Sequence, residues 1–381
     1  MIDAKDKKNV LICYHSSSYG GVEKHILDII EGLSKSFNIY IVCPFGELLD
    51  LYLKAGAIKH FNLVPASEID FKYIWQIFKI CRKYKIDIIH SHELKTGVLA
   101  TVGGFLANVN KRIYHVHTPF IFWKYGSIKK YPALFVNTIV NFVVANFCAT
   151  DVIALTRYIK EVRIKKEHVF ENKIRIIPNG IDLNKVNIDK NKRFFIRRDI
   201  NLRTGDLLIG YLARFTEEKG HIDLVRALYF LIKYKKIDNI KLMLIGKGKL
   251  LENIKSVSKN LGLEKHIVYF NNVGDKDKFN VLSSLDLFVA PTHAEGFGIA
   301  IIEAMATKLP VVCSNIEVLK DVGGDSVIYF SVGDPKDLAA KVYKLYKDDS
   351  LRKEYSLRSG TKVLDYSIEK FWQNYEKLYL A

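Results

Sequence analysis

The sequence predicts an α/β protein of two doubly wound, parallel-sheet domains facing a central cleft, and three observations predict it. Short apolar runs, each followed by a helical apolar period, recur along the whole chain, which is the grammar of βαβ units. The chain has 381 residues, well beyond the ~100–200 typical of one domain, so two domains of similar size are expected. Near its middle, Ile174-Arg175-Ile176-Ile177 runs into Pro178-Asn179-Gly180, a strong turn signal and a natural boundary.

In chain order, the first domain reads as strands at 9–14, 39–43, 86–91, 112–117 and 151–155, with helices at 22–35 and 69–84 between them. A polar, basic stretch from Asn184 to Arg203 follows the boundary. The second domain repeats the pattern with strands at 207–212, 241–246, 266–270, 285–290 and 310–313. A last helix, 366–380, carries Phe371, Trp372, Tyr375, Leu378 and Tyr379 on one stripe, and is expected to cross back and brace the first domain. The expected division is therefore 1–183, 184–362 and a returning segment 363–381.

Composition narrows the class. With 49% hydrophobic and 26% charged residues and no low-complexity tract, the chain is a folded globular protein. Five cysteines, Cys13, Cys43, Cys81, Cys148 and Cys313, form no C-x-x-C pair and read as buried free thiols of a reducing compartment. The N-terminal apolar run is too short for a signal-peptide core, so a cytoplasmic protein is expected. Residues 131–150 carry no charge, enough nominally to span a bilayer, yet Asn137, Thr138, Asn141 and Asn146 interrupt them; a mostly buried soluble helix is expected.

The formal charge of +17 asks for an anionic partner. Between Lys111 and Thr150 lie five basic residues and no acidic ones, and between Arg157 and Arg203 fourteen Lys/Arg face six Asp/Glu. An anionic membrane or a phosphorylated substrate fits this distribution. Nucleic acid does not, because no aromatic or zinc-finger motif supports it.

Chemistry is expected where strands end in unusual residues, since open parallel sheets bind ligands outside their carboxyl ends. Ser16 to Val22 places Gly20-Gly21 at the first strand-to-helix junction, where backbone N–H groups can meet a phosphate. After the strand at 207–212, Arg214 and Lys219 stand five residues apart in one loop, a pair suited to a diphosphate whose oxygens gain charge as it leaves. After the strand at 285–290 comes Pro291-Thr292-His293-Ala294-Glu295-Gly296-Phe297-Gly298-Ile299, with Glu303 eight residues beyond Glu295. Two carboxylates in apolar, glycine-rich surroundings need partners, and sugar hydroxyls would serve. A hydrolase-like acid and base pair is the rival reading of the same residues.

Taken together these segments resemble the retaining GT-B glycosyltransferases of the family-four group (glycosyl transferases group 1), similar to bacterial surface-polysaccharide enzymes. Glu295 and Glu303 resemble its E-x7-E signature, and Arg214 with Lys219 its R-x4-K. Gly20-Gly21-Val22-Glu23, Asp87 to His92, Pro178 to Asp182 and Gly246-Lys247-Gly248 match further landmarks in the family's order. The resemblance implies two Rossmann-like domains, an N-terminal one for the acceptor and a C-terminal one for a nucleotide diphosphate sugar. It implies that Arg214 and Lys219 grip the diphosphate, helped by backbone at Gly21, Phe297, Gly298 and Ile299. Glu303 would accept from the ribose and Glu295 from the sugar, while the base would lie near Gly246 and Val273. His117 matches the histidine that contacts the donor sugar, so His117, Glu295, Arg214 and Lys219 form the implied catalytic group.

The pairs His90/His92 and His115/His117 each stand at a strand end and invite a zinc reading. Because neither a cysteine nor a carboxylate completes a ligand set in sequence, neither a metal nor any other cofactor is expected; the nucleotide sugar is a substrate. Two alternatives to transfer are a nucleotide-sugar epimerase on the same scaffold and a non-catalytic protein of the membrane surface. Finally, Phe122, Trp123, Lys124, Lys129 and Lys130 interleave aromatic and basic character just after His117. They are expected to rest on an anionic inner-membrane surface, at its cytoplasmic face, and admit a lipid-linked or oligosaccharide acceptor.

Overall fold

The computed structural model describes residues 7–16, 20–118, 131–271 and 273–381. They form two compact units, Met1–Gly180 with Ile368–Ala381, and Ile181–Ser367. The strands of the first are β1 Asn9–Cys13, β2 Asn38–Val42, β3 Ala57–Phe61, β4 Ile88–His92, β5 Lys111–His115, β6 Asp151–Ala154 and β7 Ile174–Ile176. Those of the second are β8 Leu207–Leu212, β9 Ile240–Ile245, β10 Ile267–Phe270, β11 Leu287–Ala290, β12 Val311–Ser314 and β13 Ile328–Phe330. The sheet orders are β3-β2-β1-β4-β5-β6-β7 and β10-β9-β8-β11-β12-β13. Each begins 3-2-1-4 in its own numbering, the doubly wound order of a Rossmann-like domain, with parallel pairing.

Apolar runs buried on both faces explain the central strands. Val10, Leu11 and Ile12 of β1 and Leu208, Ile209 and Tyr211 of β8 are all buried. Two strands absent from the sequence reading, β3 and β13, lie at sheet edges; Lys59 and the exposed Ile58 leave β3 without a buried run, and β13 is only three residues long. Helix Gly21–Leu33 turns Ile26, Ile29, Ile30 and Leu33 onto the first sheet. Helix Phe71–Lys83 is capped by Asp70, whose carboxylate accepts from Tyr73 N–H at 2.9 Å.

The final helix, Ile368–Leu380, packs in the first unit. Trp372 Nε1 donates to the Asp28 carbonyl at 2.7 Å, and Phe371, Tyr375, Leu378 and Tyr379 join the core of β1 and helix Gly21–Leu33. The basic stretch after the boundary is not a plain linker. It folds as helix Lys190–Asp199, from which Arg193 and Arg197 both reach Asp286 at 3.0 Å, so part of the cationic excess is spent within the fold.

The uncharged segment departs from a single mostly buried helix. Helix Tyr131–Val143 gives way to a π-helical turn, Val144–Cys148, and Ile139, Val143 and Phe147 are exposed. Two of its asparagines are structural: Tyr114 Oη donates to buried Asn141 at 2.9 Å, and Asn146 accepts from Phe170 N–H at 2.7 Å. Among the described residues no helix is long and apolar enough to cross a membrane. All five cysteines are buried free thiols.

Candidate functional site: two switch-point loops and a histidine cluster

In the second sheet, β8 and β11 are neighbours whose following helices leave in opposite directions, which makes the gap beyond their carboxyl ends the switch point. The loop after β8 carries Arg214 and Lys219; the loop after β11 carries Thr292 to Gly298. Backbone and side chain tie the two together. Glu218 carbonyl accepts from His293 N–H at 2.7 Å and from Thr292 Oγ1 at 3.0 Å. His293 Nε2 lies 2.6 Å from Asp223 Oδ2. At Gly220, where φ is +66°, a side chain would collide with the Pro291 carbonyl, so the loops meet there at backbone distance.

Lys219 Nζ donates to Glu295 Oε1 at 2.6 Å, joining the two residue types singled out in sequence. Arg214 is exposed at the tip of its loop, while the next residue, Phe215, is buried and anchors it; Phe215 N–H donates to the Lys247 carbonyl at 2.8 Å. That bond brings the Gly246–Gly248 turn alongside, and Gly246 N–H in turn donates to Phe270 at 3.0 Å. Val273 follows β10 in the next connection, beside Asn272, which lies outside the described residues.

Glu303 is 9% exposed, and Lys278 Nζ donates to its Oε1 at 2.6 Å. Lys278 is a partner of candidate site residue Glu303 that the sequence reading missed, because it sits in helix Asp275–Ser284 outside any motif. Gly298, at φ +95°, opens helix Ile299–Ala306, which has no side-chain cap and no acid in its first turn. Its first amides therefore lack intrahelical acceptors and favour an anion. Phe297 is buried edge-on against Tyr366, with ring centroids 5.6 Å apart.

In the first unit Gly21 is the first residue of its helix, directly after β1, and β1 and β4 flank the corresponding switch point. There His92 ends β4, His115 ends β5 and stands opposite His92 in register, and His117 lies two residues on. Helix Gly21–Leu33 adds His25, which no sequence motif marked. One nitrogen from each of His25, His92, His115 and His117 lies within 4.8 Å of the others. Neither a cysteine nor a carboxylate joins this group; its fourth member is a histidine, brought in by tertiary packing.

Burial pushes the His25 imidazole down to about 4 and holds His92, His115 and His117 well below the ordinary value, with neighbouring imidazoles adding to the effect, so all four are neutral at pH 7. His25 Nδ1 lies 2.6 Å from Asn179 Oδ1, and Tyr375 Oη 3.1 Å from His25 Nε2. Arg163 fixes the segment just beyond β5 that bears His117: it is fully buried, pairs with Glu167 at 2.6 Å and donates to the Val116 carbonyl at 2.6 Å. Burial and the Glu23 carboxylate push Glu93 up to about 7. Phe122, Trp123, Lys124, Lys129 and Lys130 lie outside the described residues.

Residues 19–185 match the family model described as Glycosyltransferase Family 4, and residues 192–359 the one described as Glycosyl transferases group 1. The capsular polysaccharide biosynthesis glycosyltransferase CapM of Staphylococcus aureus is 30% identical over 363 residues, covering 91% of this chain and 90% of its own length. An Escherichia coli protein, UDP-Gal:alpha-D-GlcNAc-diphosphoundecaprenol alpha-1,3-galactosyltransferase, is 28% identical over 78% of this chain and 76% of its own. Among solved structures, Anabaena Alr3699/HepE in complex with UDP and glucose shares the fold, with a TM-score of 0.83 at 17% identity over 97% of this chain and 98% of that one. The chain therefore belongs to the family-four, group 1 glycosyltransferases of GT-B fold and is a transferase enzyme.

Proposed function

We propose that the protein moves a hexose, with retention, from a UDP-linked donor to a lipid-linked glycan acceptor in surface-polysaccharide assembly. The observation that carries this reading is the pair of loops at the second unit's switch point, which collect Arg214, Lys219 and Glu295 beside the uncapped start of helix Ile299–Ala306. Two cations and free amides suit a diphosphate; a carboxylate oriented by lysine suits a sugar hydroxyl. Support for UDP and a diphospholipid acceptor comes from the Escherichia coli relative's name and the UDP complex of the Anabaena protein.

In this mechanism the bond between the anomeric carbon and the diphosphate oxygen breaks, and the acceptor oxygen bonds to that carbon on the same face. The acceptor's proton goes to the departing phosphate. Arg214 and Lys219 neutralise charge that grows on that phosphate, so no divalent ion or other cofactor is required. Glu303 accepts from the ribose, Glu295 and His117 from or to the sugar, and neither carboxylate attacks it. The acceptor enters over Phe122, Trp123, Lys124, Lys129 and Lys130, with the enzyme peripheral on the cytoplasmic face of the inner membrane. A mass-spectrometric screen of nucleotide sugars with polyprenyl-diphosphate glycans tests this: product that gains a hexose only with an acceptor supports it. Epimerised donor formed without any acceptor, or a glycosyl adduct on Glu295, overturns it.

A further inference from the structure

We infer that His25, His92, His115 and His117 form a closed site for one divalent transition ion of the zinc and copper class, and that filling it switches transfer off. The geometry begins at the end of β5. His117, two residues beyond the last strand residue His115, stacks its ring on that of His115 with centroids 3.9 Å apart, and His92 stands opposite His115 on the adjacent strand, so three imidazoles from neighbouring chain segments converge. Helix Gly21–Leu33 lays His25 across them, its ring centroid 4.8 Å from His115 and 4.7 Å from His117.

Their nitrogens are spaced for a small ion. His92 Nδ1 and His117 Nε2 are 3.1 Å apart, against about 3.4 Å between nitrogens that share a tetrahedral zinc at ~2.0–2.1 Å. The widest separation in the set, 4.8 Å, has to close by ring rotation, and the Tyr375 hydroxyl between His25 Nε2 and His115 Nδ1 has to yield its place. Two features point to a ligand. Asn179 Oδ1 accepts from His25 Nδ1, leaving Nε2 with its lone pair, the outer-shell arrangement of metal-ligating histidines. An all-imidazole donor set selects zinc, copper or nickel over magnesium or calcium.

Four protein ligands leave the ion no open position, so it activates no water and polarises no substrate. What it does is capture His117. This last step rests on the proposed role of His117 at the donor sugar; the binding itself does not.

Untagged, chelator-treated protein is titrated with Zn2+ alone and with Co2+ as a spectroscopic probe, with no nucleotide sugar present. About one equivalent of Zn2+ should survive gel filtration, and Co2+ should give the visible bands of a tetrahedral nitrogen site. His25→Gln and His92→Gln, shown folded by unchanged far-ultraviolet dichroism, should lose the retained ion, and Asn179→Ala should weaken binding about tenfold. In a separate assay, Zn2+ should suppress transfer stoichiometrically and EDTA should restore it. No retained ion in the wild-type protein, or retention unchanged in both histidine variants, overturns the site. A filled site with full transfer activity overturns the switch. Absence of any transfer in metal-free buffer would sink the proposed function instead, and the titration would still decide the site.

Discussion

Replacing Lys278 by Met removes a charge while keeping the aliphatic stem, and so isolates what the lysine does for Glu303. The two side chains are 14% and 11% exposed and 2.6 Å apart. Removing one partner of a buried pair costs ~3–5 kcal/mol, because the other is left uncompensated, and residual solvent access places this pair near about 3 kcal/mol. At roughly 2–4 °C per kcal/mol for a unit of this size, the transition of Ile181–Ser367 should fall by about 6–12 °C. Glu303→Gln should also destabilise, whereas the double variant, which leaves neither member of this pair without the other, should be milder than the sum by about 2 kcal/mol. Differential scanning calorimetry of the four proteins closes the cycle. A Lys278→Met transition within about 1 °C of wild type, or strictly additive single effects, would refute the argument that these groups compensate one another.

Lys219→Ala should lower kcat by about 100-fold with little change in donor KM, since phosphate charge grows only in the transition state; steady-state kinetics showing a KM effect alone would remove it from that role. His221 is buried with both ring nitrogens unpartnered, and burial pushes it down to about 3 from an ordinary 6.5. Its neutral form stabilises the fold fully above pH 6.5, and that contribution is lost as pH falls toward 3. Urea unfolding at pH 7 and pH 5 should therefore show wild type losing about 2 kcal/mol more than His221→Phe, and equal losses would contradict this. EDTA should leave transfer intact in buffer free of added metal; a loss restored by magnesium would overturn metal independence. Sedimentation with anionic vesicles should weaken with salt and on changing Phe122, Trp123, Lys129 and Lys130 to Ser, whereas binding indifferent to both would rule out that segment as the anchor.

The parts of the fold written in short-range pattern were legible. Strands such as β1, β8 and β9 are buried on both faces, so their apolar runs announced them within a residue or two. Edge strand β3 was not, because only one of its five residues is buried and the run is broken by Lys59 and His60. The same division holds in the site. Arg214, Lys219 and Glu295 stood out because each lies where a strand hands over to a helix, and Glu303, within the helix that follows, because of its fixed spacing from Glu295. His25 and Lys278 did not, since each sits within a helix and acquires its partners only through packing against a distant segment. Whether the widened turn Val144–Cys148 would replace regular helix was equally invisible, as its residues are apolar throughout apart from Asn146.

The returning helix Ile368–Leu380 makes the order of synthesis matter. Residues of the first unit emerge from the ribosome first, yet His90 Nδ1 finds its partner, Tyr379 Oη at 2.8 Å, 289 positions later, and the core beside helix Gly21–Leu33 waits for Phe371 and Tyr375. The second unit, continuous from Ile181 to Ser367, has all its strands in hand before that helix appears. The first-made half is thus the last to be sealed, and for most of translation it exposes the apolar surface of β1, β2 and their covering helix, the period in which chaperone binding protects a nascent chain from aggregation. A ribosome stalled before residue 368 would release a finished second unit tethered to an unsealed first one.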